Sequence, residues 1–319
     1  MKKIYLLVVG FLLILSSCKG DSAQSVYDNF VSKVENCSSY KLEGQMEITQ
    51  SDGSDIFDVE VLYKTPNYYR VTYQNTSSNA RQVLLKNGDG VYVLCPELNK
   101  EFKFESSWPL NSSHIYIVNK VVDDLKCDSS HTIEENSDYY VFKSKISHHV
   151  KKDLKTQSIY IDKKSKDISK ITYNSDERPL MTLTVKTFDV GANISNSDFI
   201  LDQIMKQETA LIGEGVTTKC SEISFDNPYN LEITSNKDDK VTVLSFKGEK
   251  NYVIVYQELT DELLADTRMY DEFVMLDNTL GFISPSSLTF YLNNYEFKII
   301  SSTLTIEELM VVGNSIVMA

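Results

Sequence analysis

The chain has 319 residues, 42% apolar and 24% charged, a length for one large or two ordinary domains and a balance that rules out wholesale disorder. Thirty-two Lys and Arg against forty-five Asp and Glu give a net charge of −13 without a basic cluster, which argues against a nucleic-acid partner. Nineteen Tyr and fourteen Phe, against twelve Gly and six Pro, favour extensive sheet over loop-rich structure.

Lys2 and Lys3 precede an apolar run from Ile4 to Leu15, too short to span as a mature helix, so residues 1–17 read as a signal peptide. The run ends in Leu15-Ser16-Ser17-Cys18, which resembles a bacterial lipobox. Cys18 is therefore the expected lipidation site, carrying a covalent palmitate-type N-terminal lipid, with residues 18–23 as the tether. No later apolar run approaches about 18 residues, so acyl chains are expected to supply the membrane anchor. Cys37, Cys95, Cys127 and Cys220 form no Cys-x-x-Cys pair, and their spacing leaves disulfide bonding open.

From Ala23 to Asn36, Val26, Phe30, Val31 and Val34 share one helical face, and Asp21 or Ser22 is placed to cap it. The period then changes to two. Leu42, Met46 and Ile48 oppose Glu43, Gln45 and Glu47, and Phe57, Val59, Val61 and Tyr63 oppose Asp58, Glu60 and Lys64, with Leu62 the exception. Tyr68 to Gln74 and Arg81 to Lys86 continue the meander, and Asn87-Gly88-Asp89-Gly90 turns it into Val91 to Leu94. Asn111 to Leu125 is expected to be helical and to cover one sheet face. Asp138 to Ile146, Gln157 to Ile161, Ile168 to Tyr173 and Met181 to Phe188 read as strands.

Leu201 to Ile212 predicts a helix broken by Gly213-Glu214-Gly215, and a domain boundary is expected near residue 205. Strands follow at Leu231 to Thr234, Val241 to Phe246, Tyr252 to Gln257, Ser287 to Leu292 and Tyr295 to Ile300, the last two joined by Asn293-Asn294. Thr305 and Glu308 make a capping box that predicts a helix through Ile316.

Catalytic constellations are weak. His148-His149 lies beside Lys151 and Lys152 and reads as a solvated turn, not a metal site. Asp123-Asp124, Asp261-Glu262 and Asp266 read as wet helix faces. His114 and His131 have no recognisable nucleophile, and no phosphate-binding glycine loop occurs, so no enzyme and no cofactor are expected.

Lys64-Thr65-Pro66-Asn67-Tyr68-Tyr69-Arg70-Val71-Thr72-Tyr73, followed by Val83 to Pro96, resembles the core of the lipoprotein-carrier family that includes LolA, LolB and RseB. Ile159-Tyr160-Ile161-Asp162, Ile168-Ser169-Lys170-Ile171 and Gly191 to Phe199 resemble its closing strands. Leu288 to Leu292, Glu307-Glu308-Leu309 and Asn314-Ser315-Ile316 resemble a small domain of exported proteins of Gram-positive spore formers. The resemblance implies an α+β fold: a curved antiparallel half-barrel with a helical lid over residues 24–202, followed by a small α+β domain over 205–319. In the carriers the half-barrel encloses an apolar hollow for acyl chains, which here makes Tyr63, Tyr69, Tyr73, Tyr92, Phe102, Phe104 and Trp108 the candidate lining. In the soluble carriers an arginine before the proline helps hold the cavity shut. Thr65 stands at that position, and Arg70 belongs to the next strand.

The expected function is a membrane-anchored, non-enzymatic lipoprotein that binds or regulates an envelope protein, linked to sporulation or germination. It is expected at the outer face of the cytoplasmic membrane, the forespore membrane included. The alternative is a lipid or lipoprotein carrier that uses the hollow.

Overall fold

The computed structural model describes residues 22–49, 53–77, 81–96, 100–105, 108–109, 114–147, 154–176, 178–212, 223–237, 241–259, 268–269, 272–277 and 279–318. Helix α1 (Ala23–Glu35) leads into strands β1 (Ser39–Thr49), β2 (Ser54–Lys64), β3 (Tyr68–Asn75), β4 (Arg81–Lys86), β5 (Val91–Cys95) and β6 (Lys100–Glu105). After helix α2 (Val118–Cys127) come β7 (Thr132–Glu135), β8 (Tyr139–Lys145), β9 (Thr156–Asp162), β10 (Ile168–Ser175) and β11 (Arg178–Val190). Together with the two-residue strand Arg268–Met269 they make one open twelve-stranded sheet in which β1 lies between β2 and β11. The pairing is antiparallel except where Arg268–Met269 runs parallel to β6. The alternating pattern predicts the antiparallel strands, and their open curved arrangement is the half-barrel that the resemblance implies.

Two faces of that sheet are covered, each by its own helices. α1 and α2 lie on the concave face, where Val26, Phe30, Val34, Val118, Val121, Val122 and Leu125 join the core with Tyr40, Leu42, Met46 and Phe142. Ser22 caps α1 through Ser25 N at 3.1 Å. Lys126 reaches Glu35 across the α1–α2 contact. The expected helix from Asn111 begins later: His114 to Ile117 form a turn, α2 starts at Val118, and residues 111–113 lie outside the described residues.

The convex face carries helix α3 (Leu201–Ile212), preceded by a 3₁₀ turn at Asn196–Phe199 that Ser195 and Asp198 cap reciprocally. Ile194, Phe199, Ile204 and Met205 pack there on Leu62, Val83, Leu85, Tyr92 and Leu94. Leu62, the exception in its strand's alternation, thus has its own apolar cover. The boundary expected near residue 205 falls within α3, which packs on the half-barrel.

Beyond α3 come β12 (Ile223–Phe225), β13 (Glu232–Lys237), β14 (Val241–Lys247) and β15 (Tyr252–Glu258); β16 is the Arg268–Met269 strand of the first sheet. β17 (Glu272–Met275), β18 (Leu280–Ser284), β19 (Ser287–Leu292), β20 (Tyr295–Ile300), α4 (Ile306–Asn314) and β21 (Ile316–Met318) complete the chain. The second sheet runs β13-β14-β15-β20-β19-β18-β17, and β12 pairs with β21. Asn293 and Asn294 both take positive φ, 45° and 66°, in the β19–β20 hairpin. The Thr305–Glu308 capping box opens α4. α4 ends at Asn314 instead of running through Ile316, because Ile316 pairs with Phe225 and leaves the helix.

The two sheets meet where the second closes the β5–β6 end of the concave face. Phe102 stacks on Tyr291 with centroids 4.0 Å apart, and Phe104 on Phe282 at 4.6 Å. Gln82 donates to Thr279 Oγ1 at 2.7 Å and accepts from Leu280 N at 2.6 Å, so a side-chain amide bridges the units as a strand's backbone would.

Candidate functional site

The concave face is where the candidate lining residues were expected to surround a hollow. β2 and β3 pair Tyr63 with Tyr69, and β3 alternation puts Tyr73 on the same face. Tyr63, Tyr69, Tyr73 and Trp108 are all buried, Trp108 completely. Their rings pack on each other and on the residues that lead into α2. Tyr63 and Tyr69 are 4.9 Å apart, Tyr69 meets Trp108 edge-on at 6.1 Å, and Tyr73 meets Tyr116 edge-on at 5.4 Å. His114 Nδ1 lies 3.1 Å from the Tyr116 hydroxyl. At this place the half-barrel is filled by its own side chains.

α2 is fastened over this filling by Gln157, fully buried on β9, whose amide donates to Val121 O at 2.7 Å and Ser144 Oγ at 2.9 Å. Burial pushes the Tyr40, Tyr69 and Tyr173 hydroxyls well above the ordinary phenol range. Asp124, expected on a wet helix face, is instead buried and accepts from Ser147 Oγ; its neighbour Asp123 is exposed. Desolvation raises the Asp123 pKa, the lysines at 120 and 126 opposing it.

Phe102 and Phe104 lie on the concave side and belong to the contact with the second sheet. Tyr92 does not join the other candidates. β5 alternates, so Val91 and Val93 point into the concave core while Tyr92 and Leu94 point to the convex face beneath α3. Lys103 covers the Tyr92 ring at 5.6 Å. Cys18, Cys220, His148, His149, Asp261, Glu262 and Asp266 lie outside the described residues. Cys37 and Cys127 are free thiols. Among the described residues no three His, Cys, Asp or Glu side chains converge as a metal site requires, and no helix is long and apolar enough to cross a membrane.

An apolar cleft of about 280 Å³ survives at the rim of the concave face, between α1 and the β9–β10 turn. Val26, Phe30, Ile168 and Phe188 floor it. Lys33 stands at its mouth, 2.9 Å from Asp167 and 5.9 Å from the Phe188 ring centroid.

Glu208 is a buried charge whose role the sequence pattern alone does not assign. It is fully buried in α3, accepts from Arg70 Nη2 at 2.6 Å and also meets Arg81. Arg70 therefore points to the convex face, away from the filled interior. Leu201, Ile204, Met205 and Glu208 follow an i, i+3, i+4, i+7 spacing, so a carboxylate within an apolar stripe was the available signal.

No family model matches the chain. It is 27% identical to the sporulation protein YdcC of Bacillus subtilis (strain 168), covering 98% of this chain and 96% of that one, so the resemblance runs from end to end. Solved structures to which it is similar include MucB in complex with MucA(peri), at 10% identity and TM-score 0.32 over 93% of this chain and 99% of that one. A LolA superfamily protein from Nitrosomonas europaea matches at 14% identity and TM-score 0.32, over 57% and 99% of the two chains. A chain of the Clostridioides difficile CwlD amidase complex with the GerS lipoprotein matches at 11% identity and TM-score 0.21, over 56% and 98%. With superpositions this loose nothing further is drawn from them, and the half-barrel rests on its own strand order.

Proposed function

We propose that this chain is an envelope lipoprotein of sporulation that works by non-covalent binding of a protein partner at its outer surface. The observation that carries the reading is the filled concave face: Trp108, Tyr69 and Tyr73 occupy the place where a carrier holds acyl chains, and α2 is fastened over them. Similarity to YdcC along nearly the whole chain supports the link to sporulation. The lipobox supports attachment through Cys18, and Cys18→Ala is expected to abolish lipid labelling and alter processing; normal labelling of that variant would remove the anchor from the reading.

A second reading, binding of a lipid or lipoprotein, is favoured by the cleft beneath α1. Native mass spectrometry of the full chain in detergent separates the two. The partner reading expects no lipid beyond the covalent anchor, in the wild type and in Tyr69→Leu and Tyr73→Leu alike. A non-covalent lipid retained by the wild type and lost from a folded Leu variant would overturn it in favour of the second. Robust turnover of a peptidoglycan or lipid substrate by the purified chain would defeat both.

A further inference from the structure

The twelve-stranded and seven-stranded sheets end in four edge strands, and β13 differs from the other three. β16 has two residues, and β7 and β17 have four each, with Glu134 and Glu135 of β7 held by Lys143 and Lys163. β13 has six residues, all exposed, and pairs with β14 from Glu232–Lys247 to Lys237–Thr242 without a bulge. Among the described residues nothing pairs with its other side. Half of its residues therefore turn their N–H and C=O groups outward, because successive residues of a strand address alternate neighbours. Proline or a bulge commonly closes such an edge, and β13 has neither.

Its side chains are uncommitted. None of the six makes a side-chain hydrogen bond or ion pair among the described residues, Glu232 and Lys237 included. Ile233 is 47% exposed although its partner Phe246 is buried in the second core, so an apolar surface runs up to the edge and stops there. Alternation puts Ile233, Ser235 and Lys237 on the Phe246 face and Glu232, Thr234 and Asn236 on the other.

The charges decide which kind of strand fits. Opposite residues of an antiparallel pair either both turn their backbone groups to each other or both turn them away. Two copies of β13 paired about a two-fold axis would thus match residues an even number of positions apart. Glu232 and Lys237 are five apart, so no such pairing brings them together: an axis at Thr234 sets Glu232 against Asn236, and an axis at Ser235 sets Lys237 against Ile233. A different chain has no such restriction. We propose that β13 is where the protein partner proposed above docks, an inference that rests on that reading. An extended segment of the partner adds antiparallel to β13, with a basic residue opposite Glu232, an apolar residue opposite Ile233 and an acidic residue opposite Lys237.

The test is an NMR titration of the isotope-labelled full chain with two end-blocked hexapeptides of equal composition, Asp-Thr-Thr-Thr-Val-Lys and Lys-Thr-Thr-Thr-Val-Asp. The first is expected to give saturable shifts at the amides from Glu232 to Lys237 and to slow hydrogen exchange at every second one, as strand addition requires. The second should bind about tenfold more weakly, because it sets like charges opposite each other at both ends. Glu232→Lys combined with Lys237→Glu, both at exposed positions, should reverse that preference. Equal binding of the two peptides, an unreversed preference in the folded double variant, no saturable shift at millimolar peptide, or β13 shifts that grow with protein concentration alone, as from a second copy, would overturn the proposal. Those outcomes leave the partner reading standing, whereas the retained lipid described above would remove that reading without altering the peptide result.

Discussion

Glu208 shows how one residue can hold two structural layers together. Its carboxylate is fully buried, and Arg70, which it meets, is only 8% exposed. Glu208→Ala leaves a buried guanidinium without its counter-charge and is expected to cost about 3–5 kcal/mol, read from the urea midpoint. Adding Arg70→Met should recover part of that loss, which a simple packing defect would not allow. Asp128 works at a wetter place. It accepts from Ser130 Oγ at 2.6 Å and from the Ser130 and Lys145 amides at 2.9 and 2.8 Å, and these bonds hold its pKa down to about 2. The folded value lies below the unfolded one, about 3.9, so the contribution is present above that value and is lost as pH falls through about 2. Thermal unfolding of Asp128→Asn should show a deficit at neutral pH that shrinks from about pH 4 downward; a deficit growing on acidification would reverse the assignment.

α3 is the element whose removal changes the most. It turns the outer face of β2 to β5 from a solvent face into a second core, with Ile204 completely buried at its centre. Ile204→Ala is expected to cost about 2–5 kcal/mol with the urea m-value unchanged; a loss near zero would mean that α3 is not docked in solution. The helix itself was legible from Leu201 to Ile212, as were the alternations of β1 and β2, the asparagine hairpin and the Thr305 capping box. These are local signals that the chain carries within a few residues. What covers each face is not local. Alternation in β5 separates Tyr92 from Val91 and Val93 but does not say which set meets α2 and which meets α3. For the same reason Phe102 and Phe104 read as hollow lining, although their partners Tyr291 and Phe282 are more than 170 residues away in sequence.

At the scale of the molecule, the Gln82 bridge and the two aromatic stacks join the half-barrel to the second sheet. Limited proteolysis is expected to cut near Gly213 before it cuts inside either strand series, and the fragments should still elute together from a sizing column. Gln82→Ala combined with Phe104→Ala should let them separate. Early cleavage between Phe57 and Tyr92 would count against this organisation. The placement of β1 has a mechanical consequence. The N-terminal strand of the half-barrel is interior to its sheet, matched by eleven residue pairs to β2 and nine to β11. A pull on the N-terminus, as from a chain fixed at that end, is passed through α1 into this strand and loads both ladders in shear. While the load runs along β1 neither ladder opens one bond at a time like a zipper, so the tension is shared over both sets of residue pairs.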